Sequence, residues 1–315
     1  MIKIKESNNY PLMFENQFKC KDIFGKQGID LLNNIKFVYG NEKADIGIAK
    51  HGHKVEGVSK DRCILWKGEP PIYDFFHNKK LNINWFEKDY MATMSYCKIP
   101  GKDSYHFISP IDMYQAGYNH FSKHFLESKE NLLCMVLRNK KSHININSLL
   151  PFHFRYRKHQ LMDLRRKADY WFSVFLDDYN SYGRGWHPSC YKGELKPKGP
   201  KGYLPVYAKH KFTFASENSM FNGYVSEKLI APMTCGSIPI YIGAPDVTNY
   251  VPDDVFIKFN LNSIEDICYK IEAMNEEVIE EYKTNIKKFL FDENNPYYST
   301  NHARNFKEIL EKIGI

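Results

Sequence analysis

An α/β protein of two domains is the fold class this sequence predicts, and three observations carry the prediction. Short β-like runs alternate with polar, helix-capable stretches, the rhythm of a parallel sheet with crossover helices. That rhythm occurs as two successive series. At 315 residues the chain exceeds one ordinary domain and suits two of roughly 150 each, every one large enough to bury its own core.

In the first series the β-runs are residues 2–5, 35–39, 45–49 and 62–66. Residues 84–128 are rich in aromatics and lack a clear period, so no element is assigned there. The second series opens at 131–137, continues with a helix over 159–170, and adds β-runs at 171–176, 211–215 and 237–242. The domain boundary falls near 125–131, giving domains 1–128 and 129–315. Residues 188–205, dense in Pro, Gly and Lys, read as a loop. Ser263 caps a helix whose apolar positions Ile264, Ile267, Ile271, Met274 and Val278 recur at helical spacing. A final helix over 302–313 closes the chain, with the possibility open that it packs back on the first domain.

Hydrophobic residues at 43% and charged residues at 26% describe a soluble globular chain and exclude disordered, collagen-like and coiled-coil classes. Aromatic residues reach 15%, a supply of amphipathic rings suited to core packing or to stacking on sugars and bases. The net charge is +7, but its densest cluster, Arg155, Arg157, Lys158, Arg165, Arg166 and Lys167, is local. A local anion site fits that better than a groove for nucleic acid, which is excluded as a partner. Seven scattered cysteines without a C-x-x-C pair read as reduced, buried thiols. No stretch approaches the roughly 18 apolar residues of a membrane span, and the first residues lack the apolar run of a signal peptide.

The most informative stretch is Phe214-Ala-Ser-Glu-Asn-Ser-Met-Phe-Asn-Gly-Tyr-Val-Ser-Glu-Lys-Leu-Ile, followed by Cys235-Gly-Ser-Ile-Pro-Ile-Tyr-Ile-Gly. A β-run ends in a polar turn, a helix opens near Ser226, and a second β-run follows. In parallel α/β sheets ligands lie where strands end and helices begin, so Glu217, Asn218, Ser219, Tyr224, Glu227 and Lys228 fall where a ligand would sit. Free backbone N–H groups at the helix start favour phosphate, and Lys228 adds a full charge.

This stretch resembles the α1,3-fucosyltransferases of bacteria and eukaryotes. The hallmark of that family joins an aromatic strand, Glu-Asn-Ser, Tyr-x-[Thr/Ser]-Glu-Lys and a Pro-containing strand. Here these are Phe214, Glu217-Asn218-Ser219, Tyr224-Val225-Ser226-Glu227-Lys228 and Ile238-Pro239-Ile240-Tyr241-Ile242-Gly243, with Pro252 and Phe256-Ile257 beyond. The resemblance implies a GT-B fold, two facing Rossmann-like domains with a central cleft, the first binding acceptor and the second GDP-fucose. It implies inverting transfer of L-fucose to a hydroxyl of an oligosaccharide or glycoconjugate, α1,3 to N-acetylglucosamine or glucose. The alternatives are a related transferase for another nucleotide sugar and an inactive glycan-binding homologue.

The resemblance implies that Lys228 meets the donor phosphates, Glu227 accepts from ribose hydroxyls, Tyr224 and Asn218 line the same pocket, and Glu217 faces the fucose end. Arg157-Lys-His-Gln-Leu-Met-Asp-Leu resembles the family's Arg-led helix start, which supplies a second cation to the pyrophosphate, with Arg155 as the alternative. Cys63-Ile-Leu-Trp-Lys-Gly-Glu-Pro-Pro resembles the strand ending in the family's general base, here Glu69. Pro70 stands where the family often has Asn, and Pro232 is expected to break or kink the helix begun at Ser226. With protein cations on the phosphates, no metal is required, although Mn2+ or Mg2+ stimulation is compatible. Asp177-Asp178 and Asp253-Asp254 read as loop acids. The expected location is cytoplasmic, or the Golgi lumen where an N-terminal anchor has been removed.

Overall fold

The computed structural model describes residues 1–7, 13–19, 21, 24–68, 89–97, 104–106, 125, 128–140, 159–186, 188–295 and 297–315. The chain forms two compact units. One comprises Met1–Ala116, Phe221–Tyr224 and Asn294–Ile315, the other Gly117–Met220 and Val225–Glu293.

The first unit is built on parallel strands β1 (Ile2–Glu6), β2 (Ile35–Phe37), β3 (Ile46–Lys50), β4 (Cys63–Lys67), β5 (Ala92–Ser95) and β6 (Ser104–His106), in the order β2-β1-β3-β4-β5-β6. Every residue of β3 and β4 is buried, as expected of central parallel strands covered on both faces. Helices α1 (Met13–Lys19) and α7 (Ser299–Lys312) cover one face. Their Phe14, Phe18 and Phe306 rings pack with centroids 5.2–6.2 Å apart over Ile4, Ile46, Ile64 and Trp66. The opposite face buries Ala49, Val55 and Cys63.

At the carboxyl ends of β1 and β3 lies an ion pair, Glu6 with Lys50, whose side chains are 1% and 0% exposed. Glu6 Oε1 also accepts from Phe14 N at 3.0 Å and Glu15 N at 3.1 Å, fastening the start of α1. Ser7 Oγ accepts from Lys50 N at 3.2 Å. Burial lowers the Lys50 ammonium's pKa against the opposing hydrogen bond and charge of Glu6.

The second unit carries parallel strands β7 (Asn131–Val136), β8 (Tyr179–Tyr182), β9 (His210–Ser216), β10 (Ile238–Ile242) and β11 (Ile257–Lys258), ordered β11-β10-β9-β7-β8. Among its described residues the helices are α2 (Met162–Phe175), α3 (Pro200–Ala208), α4 (Glu227–Thr234), α5 (Ile264–Glu272) and α6 (Glu276–Leu290). The strand order reverses between β7 and β9. In such sheets a crevice opens there at the carboxyl ends of the strands.

Four local expectations need correction. Residues 171–176 are not a strand: α2 runs through Phe175, because Met162, Arg165, Ala168, Asp169 and Phe172 form one inward stripe. Phe172 packs on Phe214 at 5.2 Å and on Tyr179 at 5.4 Å, and this burial overrides the β-propensity of the aromatic run. The loop of 188–205 ends early, since Pro200 starts α3, where a missing N–H is harmless. The pattern from Ile264 to Val278 is two helices, because Asn275 caps α6 by accepting from Val278 N at 3.0 Å. Ser263 bonds Asn260 O and makes no side-chain cap. The last helix opens three residues early, at Ser299. Pro232 does lie inside α4, which is short, ending two residues later at Thr234. Among the described residues no helix is long and apolar enough to cross a membrane.

Lys129 ties two helix ends together. Its Nζ donates to Ala208 O, the last residue of α3, at 2.8 Å and to Cys235 O, the C-cap of α4, at 2.7 Å. Both carbonyls sit at negative dipole ends, where a cation is favoured. Lys129→Met should lower the unfolding free energy by about 1–3 kcal/mol, read from the urea midpoint at constant m-value. An unchanged midpoint would show that Lys129 is not a fastening point.

Candidate active site

The site is assembled where β9 and β10 end and α4 begins. Beyond Ser216 the chain leaves the sheet as Glu217-Asn218-Ser219, and Glu217 N donates to Ile242 O at 2.9 Å, pinning this exit to the end of β10. Gly243 follows immediately. A Cβ there would lie 2.4 Å from Glu217 Cγ and 2.2 Å from Tyr241 Oη, so only glycine lets Glu217 pass.

Glu217 is fully buried, and both its oxygens serve Ser226. Oε1 accepts from Ser226 N and Oε2 from Ser226 Oγ, each at 2.7 Å. Ser226 is the N-cap of α4, its Oγ accepting from Lys228 N at 3.4 Å. Lys228 Nζ reaches Glu227 Oε1 at 2.7 Å, Ser226 Oγ at 3.1 Å and Glu217 Oε2 at 3.8 Å. Its side chain is 16% exposed and that of Glu227 40%, so this edge of the cluster opens to solvent.

The charges are tuned apart. Burial raises the Glu217 carboxyl to about 7, although Lys228 and the Ser226 hydrogen bonds pull it down. Burial acts in the same sense on Glu227, but the Lys228 ammonium outweighs it and holds that carboxyl below its ordinary value. For Lys228, burial works against the charge, yet Glu227 and Glu217 together raise its pKa. The cluster therefore presents an ionised ammonium and an ionised carboxylate beside an acid poised near neutrality.

A second cation stands behind them. Arg165, 3% exposed, donates from Nη2 to Ser216 O at 2.6 Å and Asn218 Oδ1 at 3.1 Å, and from Nε to Ser216 Oγ at 3.2 Å. Its charge acts on the Lys228 ammonium. Gln160 bridges Ser219 in antiparallel fashion, while Met220 N bonds His159 O at 2.7 Å and Leu161 N bonds Asn218 O at 3.1 Å. The approach to α2 is thereby laced to the exit of β9.

Of the residues singled out in the sequence, Glu217, Asn218, Glu227 and Lys228 come together here. Tyr224 is buried at 1% exposure, two residues before the N-cap, in a turn that groups with the first unit. Glu69, Arg157 and Arg155 lie outside the described residues. Arg165 escaped selection as a site residue, because a basic run does not announce which member is buried. Its signal is position, since it shares the inward stripe of α2 with Met162, Ala168 and Phe172. Among the described residues no three His, Cys, Asp or Glu side chains gather as a metal site. Asp178 instead accepts from Leu132 N at 2.6 Å.

The raised Glu217 pKa makes stability depend on pH. The folded chain binds this proton up to about pH 7, whereas the unfolded chain releases it near pH 4.3. Its contribution is therefore full below about pH 4 and is lost as pH rises through 7, by on the order of 3 kcal/mol. Glu217→Gln should flatten the difference in unfolding free energy between pH 5 and pH 8. An unaltered pH profile in the variant would refute the assignment.

Comparison with known proteins agrees with this geometry. Residues 178–289 match a family model described as "Glycosyltransferase family 10 (fucosyltransferase) C-term". Among curated relatives, GDP-fucose protein O-fucosyltransferase 3 of Xenopus tropicalis is 41% identical over 49 residues, 16% of this chain and 10% of that protein. The Danio rerio protein of the same name is 31% identical over 78 residues, 24% of this chain and 17% of that one. The matches thus span a small part of these relatives' length. A crystal structure of an α1,3-fucosyltransferase with GDP superposes with a TM-score of 0.55 at 14% identity, covering 99% of this chain and 89% of the other. An α-glucosyltransferase in complex with UDP and DNA superposes at 0.52, also at 14% identity, covering 100% and 99%. Two parallel-sheet α/β units with these neighbours have the GT-B-type glycosyltransferase fold. Residues 178–289 are thus similar to the C-terminal part of the glycosyltransferase family 10 fucosyltransferases.

Proposed function

We propose that this chain is an inverting fucosyltransferase that moves L-fucose from GDP-fucose to a hydroxyl of an oligosaccharide or glycoconjugate, α1,3 to N-acetylglucosamine or glucose. The observation that carries the proposal is the Lys228 ammonium, fixed at the N-terminal turn of α4 by Glu217, Ser226 and Glu227 at the carboxyl edge of the second sheet. It combines a helix N-terminus, a full positive charge and an adjacent ionised carboxylate, the donor set for a pyrophosphate joined to a ribose.

The work divides between a donor-binding domain, 129–315, and an acceptor-binding domain, 1–128. Lys228 and Arg157 engage the pyrophosphate, Glu227 accepts from the ribose hydroxyls, and Asn218, Tyr224 and Glu217 complete the donor pocket. Glu69 takes the proton of the attacking hydroxyl. As that oxygen bonds to the anomeric carbon, the bond to the β-phosphate oxygen breaks with its electron pair, and GDP leaves from the opposite face. Cations fixed on the phosphates stabilise the charge that grows there. This arrangement needs no metal for the transfer itself. The six described cysteines are free thiols, five of them buried, which supports a reducing, cytoplasmic setting.

A panel of nucleotide sugars scored for nucleotide release tests the donor. GDP-fucose should be consumed in preference to UDP-sugars, with activity retained in EDTA; equal turnover of UDP-galactose would overturn the reading. The base is tested by Glu69→Gln, which keeps size and removes basicity. Transfer should fall by roughly 10²- to 10⁴-fold with donor affinity unchanged. Near-normal transfer would move the base elsewhere, with Glu217 next to be tried.

A further inference from the structure

Glu217 and Lys228 share one hydroxyl at the start of α4. Ser226 Oγ donates to Glu217 Oε2 at 2.7 Å and accepts from Lys228 Nζ at 3.1 Å and Lys228 N at 3.4 Å. A hydroxyl has a single proton to give, and here the carboxylate takes it. Glu217 Oε1 accepts from Ser226 N at 2.7 Å, and Lys228 Nζ stands 3.8 Å from Oε2. These groups all belong to the second unit. Glu217 has no contact with solvent, whereas the Lys228 side chain is 16% exposed, so an anion approaching from solvent reaches the cluster at Lys228. The charges facing Glu217 are finely divided. From α4 come the Lys228 ammonium and the like charge of Glu227, and Lys228 is itself shared, its Nζ lying 2.7 Å from Glu227 Oε1. From β10 comes the Tyr241 hydroxyl, which burial and Glu217 keep un-ionised, with Asp246 acting on it in the same sense. From α2, Arg165 acts on Lys228 and is engaged with Ser216 and Asn218.

We propose that this site binds a nucleotide sugar's pyrophosphate together with a proton, and that the proton goes to Glu217. This rests on the donor reading above. A pyrophosphate at Lys228 brings further negative charge to a place shielded from water, where like charges repel more strongly than in bulk. The attraction that Lys228 holds for Glu217 is then offset by the phosphates behind it. Glu217 has no water to turn to, and a buried carboxylate in that position takes up a proton from solvent. The hydrogen bond to Ser226 reverses: Glu217 Oε2–H donates to Ser226 Oγ, and the serine's own proton becomes available to a phosphate oxygen. Oε1 goes on accepting from Ser226 N, so the grip on the start of α4 survives the change. Burial already holds this carboxyl near pH 7, so the uptake costs little in neutral solution. The sign follows: anion binding raises the pKa further, and affinity falls as pH rises through 7 because the proton comes from a solution that holds fewer.

The test is calorimetry of GDP-fucose binding to the full chain without acceptor, in two buffers of different ionisation enthalpy, PIPES and imidazole. GDP-fucose is the probe because its pyrophosphate has no proton that titrates near neutrality, unlike the terminal phosphate of GDP. At pH 7 the difference between buffers should report uptake of about half a proton per nucleotide, since the free carboxyl is about half protonated there and the bound one nearly fully. Affinity should be about five- to tenfold weaker at pH 8 than at pH 6. Difference infrared spectra of the wild type should gain the carbonyl band of a protonated carboxylic acid on binding. Glu217→Gln copies the protonated state, its amide oxygen accepting from Ser226 N and its NH2 donating to Ser226 Oγ. That variant should bind at pH 8 as tightly as the wild type at pH 6, with no proton taken up and no new infrared band. Binding by the wild type without proton uptake, or equal uptake in Glu217→Gln, would overturn this inference alone. A wild type that binds no GDP-fucose between pH 6 and pH 8 would overturn the donor reading and this inference with it.

Discussion

A carboxylate with no contact to solvent organises the second unit's working edge. Glu217 spends both oxygens on one residue, Ser226, and through it sets where α4 begins and where the Lys228 ammonium stands. Two opposing effects meet in that side chain. Burial penalises its charge, while the Ser226 donors and Lys228 reward it, and the balance falls near neutrality. The neighbouring backbone accommodates this arrangement at Gly243, where the absence of a side chain lets Glu217 pass, and at the Glu217 N–Ile242 O bond that holds the exit of β9 to the end of β10. A helix start, a cation and a strand exit thus depend on the same few atoms.

The two units solve the same topological problem in the same way. Each is a parallel sheet whose order reverses next to its first strand, and each gathers charged side chains at the carboxyl ends flanking that reversal. In the second unit those charges lie partly open, as the exposures of Lys228 and Glu227 show. In the first, Glu6 and Lys50 are closed off. One topology therefore supports both a surface chemistry and an interior fastening, and burial decides which.

Much of this was legible in the sequence. The β9–α4–β10 passage is readable because β10 is an unbroken apolar run and β9 carries Phe212 and Phe214, while Ser226 marks the start of a helix that Pro232 keeps short. The charged residues between them were readable as a site because parallel sheets place strand exits and helix starts together. Other features were not. The run Tyr170-Trp171-Phe172 has strand-like composition, and only the tertiary contacts of Phe172 with Phe214 and Tyr179 make it helical. Asn275 carries a cap signal inside a pattern whose apolar period continues across the break, so two helices looked like one. Arg165 was visible as a charge, but its burial against Ser216 and Asn218 is a long-range fact that local composition does not contain.

The Glu6–Lys50 pair constrains how this sequence can drift over evolutionary time. Neither partner has water to fall back on, and Glu6 also holds the first N–H groups of α1. Replacing one alone strands the other as an uncompensated ion, whereas exchanging both for apolar residues of similar volume is often tolerated elsewhere. Here the exchange would also orphan the helix start. The two positions are accordingly joined as a single heritable unit, reachable by paired change and closed to stepwise change, and β1, β3 and the entry to α1 inherit that linkage.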